Sequence, residues 1–251
     1  MESRKTRIEV CCGSAEDAIE ACRAGADRAE LCSDLFHGGL TPSVGSLLVA
    51  KRETRIPIMA MIRPREGGFC YTDAEFAVCR EDARLLLEQG ADGLVFGFLH
   101  EDGTVDIERT REIAALALRA GKEAVFHRAI DVVPDWRAAL DCLIDLGLTR
   151  VLTSGQAPDV FYGTDVVRDM IAYAAGRIQV MPGAGITPQN IAAIRERTGA
   201  EQLHVAAYRT HFDHSADNNR AIFYGGCLYP PEDRFSIADP DAIGRMVERV
   251  Q

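Results

Sequence analysis

The sequence is short of several things at once, and each shortage excludes a class of protein. No apolar run approaches the roughly 20 residues that a membrane-spanning helix needs, and the opening "MESRKTRIEV" is charged, without the apolar stretch of a secretory leader. No run of Lys or Arg stands out and the formal net charge is −10, so the basic patch of a nucleic-acid binder is missing. Low-complexity segments and Pro/Gly-rich linkers are absent. Eight cysteines occur, yet none stands in a C-x-x-C arrangement, the commonest zinc and redox spacing. The expectation is a cytoplasmic protein with reduced thiols, acting on neither nucleic acid nor membrane. The single tryptophan, Trp136, reads as an anchor between helix and sheet.

What is present is a repeat. Small, often Gly-containing links separate helical runs from short apolar runs: "AGADRAEL" (24–31), "QGADGLVF" (89–96), "AGKEAVF" (120–126), "LGLTRVL" (146–152), "AGRIQV" (175–180) and "TGAEQLHV" (198–205). Glycine at the end of a helical pattern marks its stop, and an apolar run of four to six residues reads as a strand buried on both faces. With 7–12 and "IPIMAMIR" (56–63), eight strands result. Helical patterns fall near 14–24, 43–53, 73–89, 106–120, 134–146, 160–175, 187–198 and 239–250. Thr41-Pro42 and Thr187-Pro188 look like hydroxyl caps followed by a first-turn proline. Thr72 precedes an acidic first turn. Eight strand–helix units in 251 residues predict an α/β fold, a single (β/α)8 TIM barrel over 1–251. An open dinucleotide-binding sheet would carry G-x-G-x-x-G after its first strand, and "CCGSAED" does not. An irregular loop is expected at 208–238, after strand eight.

In such a barrel, chemistry collects at the carboxyl ends of the strands. Those ends carry Glu9, Cys11 and Cys12; Glu30 and Cys32; Arg63 and Arg65; His127, Arg128 and Asp131; Thr153 and Ser154; and His204. Alternation along a strand puts Glu9 with Cys11 and Glu30 with Cys32 on the inner face, leaving Val10, Cys12 and Leu31 toward the helices. Buried carboxylates need partners, and Arg63 and Arg128 are the candidates. Burial and neighbouring charge suit Glu9 or Glu30 as base and His127 as acid. "MPGAGITPQN" (181–190), with Gly183 and Gly185, resembles an anion-binding turn into a helix, near Ser154. "HFDH" (211–214) is a weak metal pattern that lacks a third ligand. Cys22, Cys79 and Cys142 fall in helices as packing residues, while Cys70 and Cys227 fall in loops.

The segments "EVCC", "GADRAELC", "GGLTPS", "IRPR", "GGFCYTDAEF", "FHRAID", "RVLTSGQ" and "GAGI", with His204 beyond them, resemble the CutC family, named for copper homeostasis. The resemblance implies a cytoplasmic, often oligomeric (β/α)8 barrel that binds Cu(I) through Cys11 and Cys32. Thiolates do select this soft ion. The departure is "HVAAYRTHFDH", where a small serine-containing turn is expected after the histidine. The residue set also admits an enzyme acting on a small anionic or phosphorylated metabolite, with Glu9, Glu30, His127 and His204 in acid/base roles and Arg63 and Arg128 holding the anion. An interaction scaffold without chemistry fits the polar strand ends least well.

Overall fold

The structure is a computed structural model that describes residues 6–225 and 231–251. Cys227 lies outside the described residues. Eight parallel strands form the barrel: β1 (Arg7–Cys12), β2 (Arg28–Leu31), β3 (Ile58–Met61), β4 (Gly93–Phe96), β5 (Glu123–Phe126), β6 (Arg150–Thr153), β7 (Gln179–Pro182) and β8 (Gln202–Val205). Between them run α1 (Ala15–Arg23), α2 (Val44–Glu53), α3 (Asp73–Glu88), α4 (Ile107–Arg119), α5 (Trp136–Asp145), α6 (Val160–Ala174) and α7 (Ile191–Thr198), with α8 (Pro240–Val250) closing the chain. Hydrogen-bonded order is β7-β6-β5-β4-β3-β2-β1-β8. The expected TIM barrel is therefore observed, nearly closed. Across the β7–β8 seam, side chains meet: the Gln202 amide donates to Gln179.

The six link glycines, Gly25, Gly90, Gly121, Gly147, Gly176 and Gly199, all adopt positive φ, so each helix stops where the sequence places its stop. Thr72 makes a full capping box with Glu75. Two expected caps are corrected. Ser43, not Thr41, caps α2. The Thr41 hydroxyl instead clamps the backbone of Arg63, accepting from its N–H at 2.9 Å and donating to its carbonyl at 3.1 Å. α7 begins at Ile191, and the Thr187 N–H is taken by the Asn190 side chain at 2.7 Å. Proline at 188 is part of a turn that precedes the helix.

The core has two layers. Val10, Cys12, Leu31, Ile58, Ala60, Leu94 and Phe126 face the helices in one continuous apolar shell. A small inner cluster of Cys32, Met59, Met61, Val95 and Val125, with Cys11 against it, fills the barrel. Strand alternation thus sorts Cys11 from Cys12 as expected. Trp136 is 8% exposed and packs edge-on against Tyr173 of α6. The segment after β8 is more regular than its sequence implies: β9 (Tyr208–Phe212) and β10 (Arg234–Ala238) pair as an antiparallel ribbon, with a 3-10 turn at His214–Asn219.

Candidate functional site

The floor of the site is a polar network inside the barrel. Register places Glu9 opposite Arg28 on β2 and His204 on β8. Glu9 accepts from Arg28 Nε, and from His204 Nδ1 at 2.8 Å. Arg150 Nη2 lies 3.8 Å from the same carboxylate and 2.6 Å from Glu123. Arg28 continues to Gln202 at 2.9 Å. Burial alone would raise the Glu9 pKa, but Arg28, the His204 hydrogen bond and Arg150 hold it well below the usual carboxylate range. Glu9 is a fixed anion that no solvent reaches.

This corrects the expected partners. Arg28 and Arg150, not Arg63 and Arg128, neutralise Glu9. Arg28 shares its strand face with Glu30 by alternation, but it sits at the start of β2, away from the strand ends where chemistry is expected. Arg63 bonds three backbone carbonyls, of His37, Gly39 and Gly67, at 2.9 to 3.1 Å. Arg128 bonds Asp131 at 2.9 Å and Ser154 Oγ at 3.0 Å.

Above the floor opens a cavity of about 470 Å³. Its wall includes Cys11, Glu30, Arg63, His127, Arg128, Gly185 and His204. Three of these, Cys11, Glu30 and His204, bring one ligand atom each within 4.8 Å of one another. This is the sole such group of metal-capable side chains among the described residues, so "HFDH" forms none. A larger cleft, about 590 Å³, lies around Thr6, Arg195 and Glu201, at the far end of the barrel from this cluster.

The cluster holds its protons unusually. The Cys32 thiol lies in hydrogen-bonding reach of the Cys11 sulfur, which, with His204, pulls the Cys11 pKa well below that of a free thiol despite burial. That same bond to Cys11, together with burial, pushes Cys32 well up. Cys32 also lies 3.7 Å from Glu30 Oε2. Burial raises Glu30 to about 8, against the pull of His204, and its Oε1 has no hydrogen-bond partner. Burial works against a charged His204, yet Glu30, Cys11 and Glu9 together raise its pKa well above the ordinary value. The set thus favours loss of the Cys11 proton and retention of the His204 proton over the anchored Glu9 anion, while Glu30 holds its proton more tightly than an ordinary carboxyl. His127 is the opposite: burial, helped by Arg63, lowers it to about 3, and it stays neutral.

Gly183 does not line the cavity. A Cβ there would lie 2.7 Å from the end of the Leu152 side chain and 3.1 Å from the His204 Cβ, so glycine leaves room for the ring of His204 to seat. Gly185 is on the wall, with φ +72, and a carboxylate oxygen of Asp159 sits 1.8 Å from where its Cβ would be. Negative charge directly behind this turn works against an anion there. Ser154 is buried, its N–H and hydroxyl both donating to Asp131. Tyr208, from the divergent segment after β8, donates its hydroxyl to the Cys11 carbonyl at 2.9 Å. No sequence signal marked it.

The architecture and the strand-end cluster define a (β/α)8 barrel with a thiol, carboxylate and imidazole gathered at its mouth. Residues 6–209 match the CutC family, and the chain belongs to that family. A family protein CutC of Treponema denticola is 49% identical over 98% of this chain and 99% of its own length. The human copper homeostasis protein cutC homolog is 44% identical over 92% of this chain and 84% of its own. A CutC crystal structure from Streptococcus agalactiae superposes with a TM-score of 0.75 at 33% identity, covering 79% of this chain and 97% of that one. No helix among the described residues is long and apolar enough to cross a membrane.

Proposed function

We propose that the chain handles copper in the cytoplasm by binding Cu(I) at the barrel mouth, with Cys11 as the principal ligand. The observation that carries this reading is the Cys11, Glu30, His204 group, with atoms within 4.8 Å of one another on the wall of an open cavity. The donor set fits a soft ion: a thiol whose proton is held less tightly than usual, an imidazole, and a second thiol, Cys32, in reach of the first. Glu9 on His204 Nδ1 is the outer carboxylate that commonly orients a metal-binding imidazole, leaving Nε2 for the ion. All seven described cysteines are free thiols, in keeping with a reducing compartment. The ion is cargo in this account, taken up and passed on through the cavity. The reading carries with it the homo-oligomeric assembly expected of the family, which native mass spectrometry reports.

Anaerobic competition titration with a Cu(I) chelator tests the proposal. Wild-type chain is expected to take one equivalent, the Cys32→Ser variant to bind more weakly, and Cys11→Ser to lose tight binding. Unchanged affinity in Cys11→Ser contradicts it.

A further inference from the structure

Three arginines are buried among the described residues: Arg28, Arg63 and Arg150. Arg28 and Arg150 meet carboxylates. Arg63, 7% exposed, meets none among the described residues. Its three hydrogen bonds go to backbone carbonyls of the loops after β2 and β3, and its buried Nε has no partner. Carbonyl dipoles orient a guanidinium without cancelling its charge, and an uncompensated buried charge is costly. The fold therefore holds a cation in place at the cavity wall with its counter-charge missing.

His127 supplies a second unused donor. Its Nδ1 accepts the Ala129 N–H at 3.2 Å, which puts the ring proton on Nε2, and that buried nitrogen has no partner. The Phe69 ring joins the two residues. It lies 5.7 Å from the Arg63 guanidinium carbon and 4.8 Å from the His127 ring, centre to centre. Arg128 is the third donor. Its Nε and Nη2 are taken by Asp131 and Ser154, leaving Nη1 for a ligand. All four side chains line the same cavity, beside the apolar Met61, Leu152 and Ile186.

We infer that the β3–β5 side of this cavity is a binding site for a small organic carboxylate. The carboxylate group takes the donors of Arg63, His127 and Arg128, and the hydrocarbon part lies on Met61, Phe69 and Leu152. A monoanion fits the charge balance: Arg128 is already paired with Asp131, so one positive charge is left over. A guanidinium matches a planar carboxylate. The site is across the mouth from the turn after β7, the usual phosphate position in this architecture, where Asp159 supplies opposing charge. None of its donors belongs to the group assigned to Cu(I), so it stands apart from the copper reading.

Isothermal titration of the whole chain, stripped of metal, tests this with four probes: propionate, lactate, their neutral counterpart propionamide, and methyl phosphate. Saturable one-to-one binding of propionate or lactate is expected, with none for propionamide and weaker binding of methyl phosphate. Arg63→Gln and His127→Gln are each expected to weaken carboxylate binding about tenfold or more, as loss of a hydrogen bond to a charged group does. Arg63 also ties three loop carbonyls, so if Arg63→Gln does not fold, His127→Gln and Arg128→Gln decide. The inference is overturned if neither carboxylate binds saturably, if propionamide or methyl phosphate binds as well, or if His127→Gln leaves carboxylate affinity unchanged.

Discussion

His204 Nδ1 lies 2.8 Å from Glu9 Oε1, joining residues 195 positions apart in the chain. β8 and β1 are neighbours in register here, Glu9 opposite His204, so the pair exists only once the barrel has closed round to its first strand. It ties the polar floor to the cluster at the mouth: Glu9 is held ionised from below by Arg28 and Arg150, and it orients the imidazole above.

Glu9 is therefore expected to matter for folding before it matters for function. Replacing it with Gln removes the charge that Arg28 and Arg150 share while keeping the volume. Breaking a buried pair in this way costs about 3–5 kcal/mol. Urea denaturation of Glu9→Gln should show a loss of that order; a loss within experimental error would mean the network does not stabilise the barrel.

His127 gives a signed pH effect. Its pKa falls from 6.5 to about 3 on folding. A depressed pKa contributes stability that is fully present above 6.5 and is lost as pH falls toward 3, because the unfolded chain takes up the proton first. The stability difference between wild type and His127→Gln should therefore shrink as pH drops from 6.5 toward 3. Melting curves across that range check it, and a constant difference contradicts it.

Much of this was legible in the sequence, and the reasons differ by element. The links at Gly25, Gly90, Gly121, Gly147, Gly176 and Gly199 are local signals, and each marks a real helix end. The split between Cys11 and Cys12 follows from the two-residue period of a strand. Arg28 and Arg150 give no such signal because they enter from strand starts, and partners inside a barrel are set by register across strands. The Thr41 hydroxyl looks like a cap in the sequence because its use, clamping the Arg63 backbone, is a long-range contact. The β9–β10 ribbon, which lies beyond the family match except for Tyr208 and Arg209, is hard to read because all five residues of β9 are exposed, so no buried face marks the strand.

Gly183 has a steric role that one methyl group tests. A Cβ there meets Leu152 and the His204 Cβ. Gly183→Ala is expected to fold with about 1–3 kcal/mol less stability, as overpacking costs, and to bind Cu(I) more weakly because His204 shifts. Equal copper affinity in a variant that folds normally would mean that the added methyl leaves His204 in place.

Copper uptake should also move protons. Cys11 is shifted toward the thiolate and His204 toward the imidazolium, so an ion that takes Nε2 displaces the proton held on the ring, and ligands must be deprotonated to bind. Cu(I) affinity should then rise with pH across the neutral range. Titrations in buffers of different ionisation enthalpy count the protons released; none released would place the ion away from His204.

The most direct measurement is X-ray absorption at the copper edge on the one-equivalent Cu(I) complex, for wild type and Cys11→Ser. The account predicts sulfur in the first shell of the wild-type site, and loss of that sulfur with loss of tight binding in the variant. A first shell of nitrogen and oxygen alone, or one identical in both proteins, would contradict it.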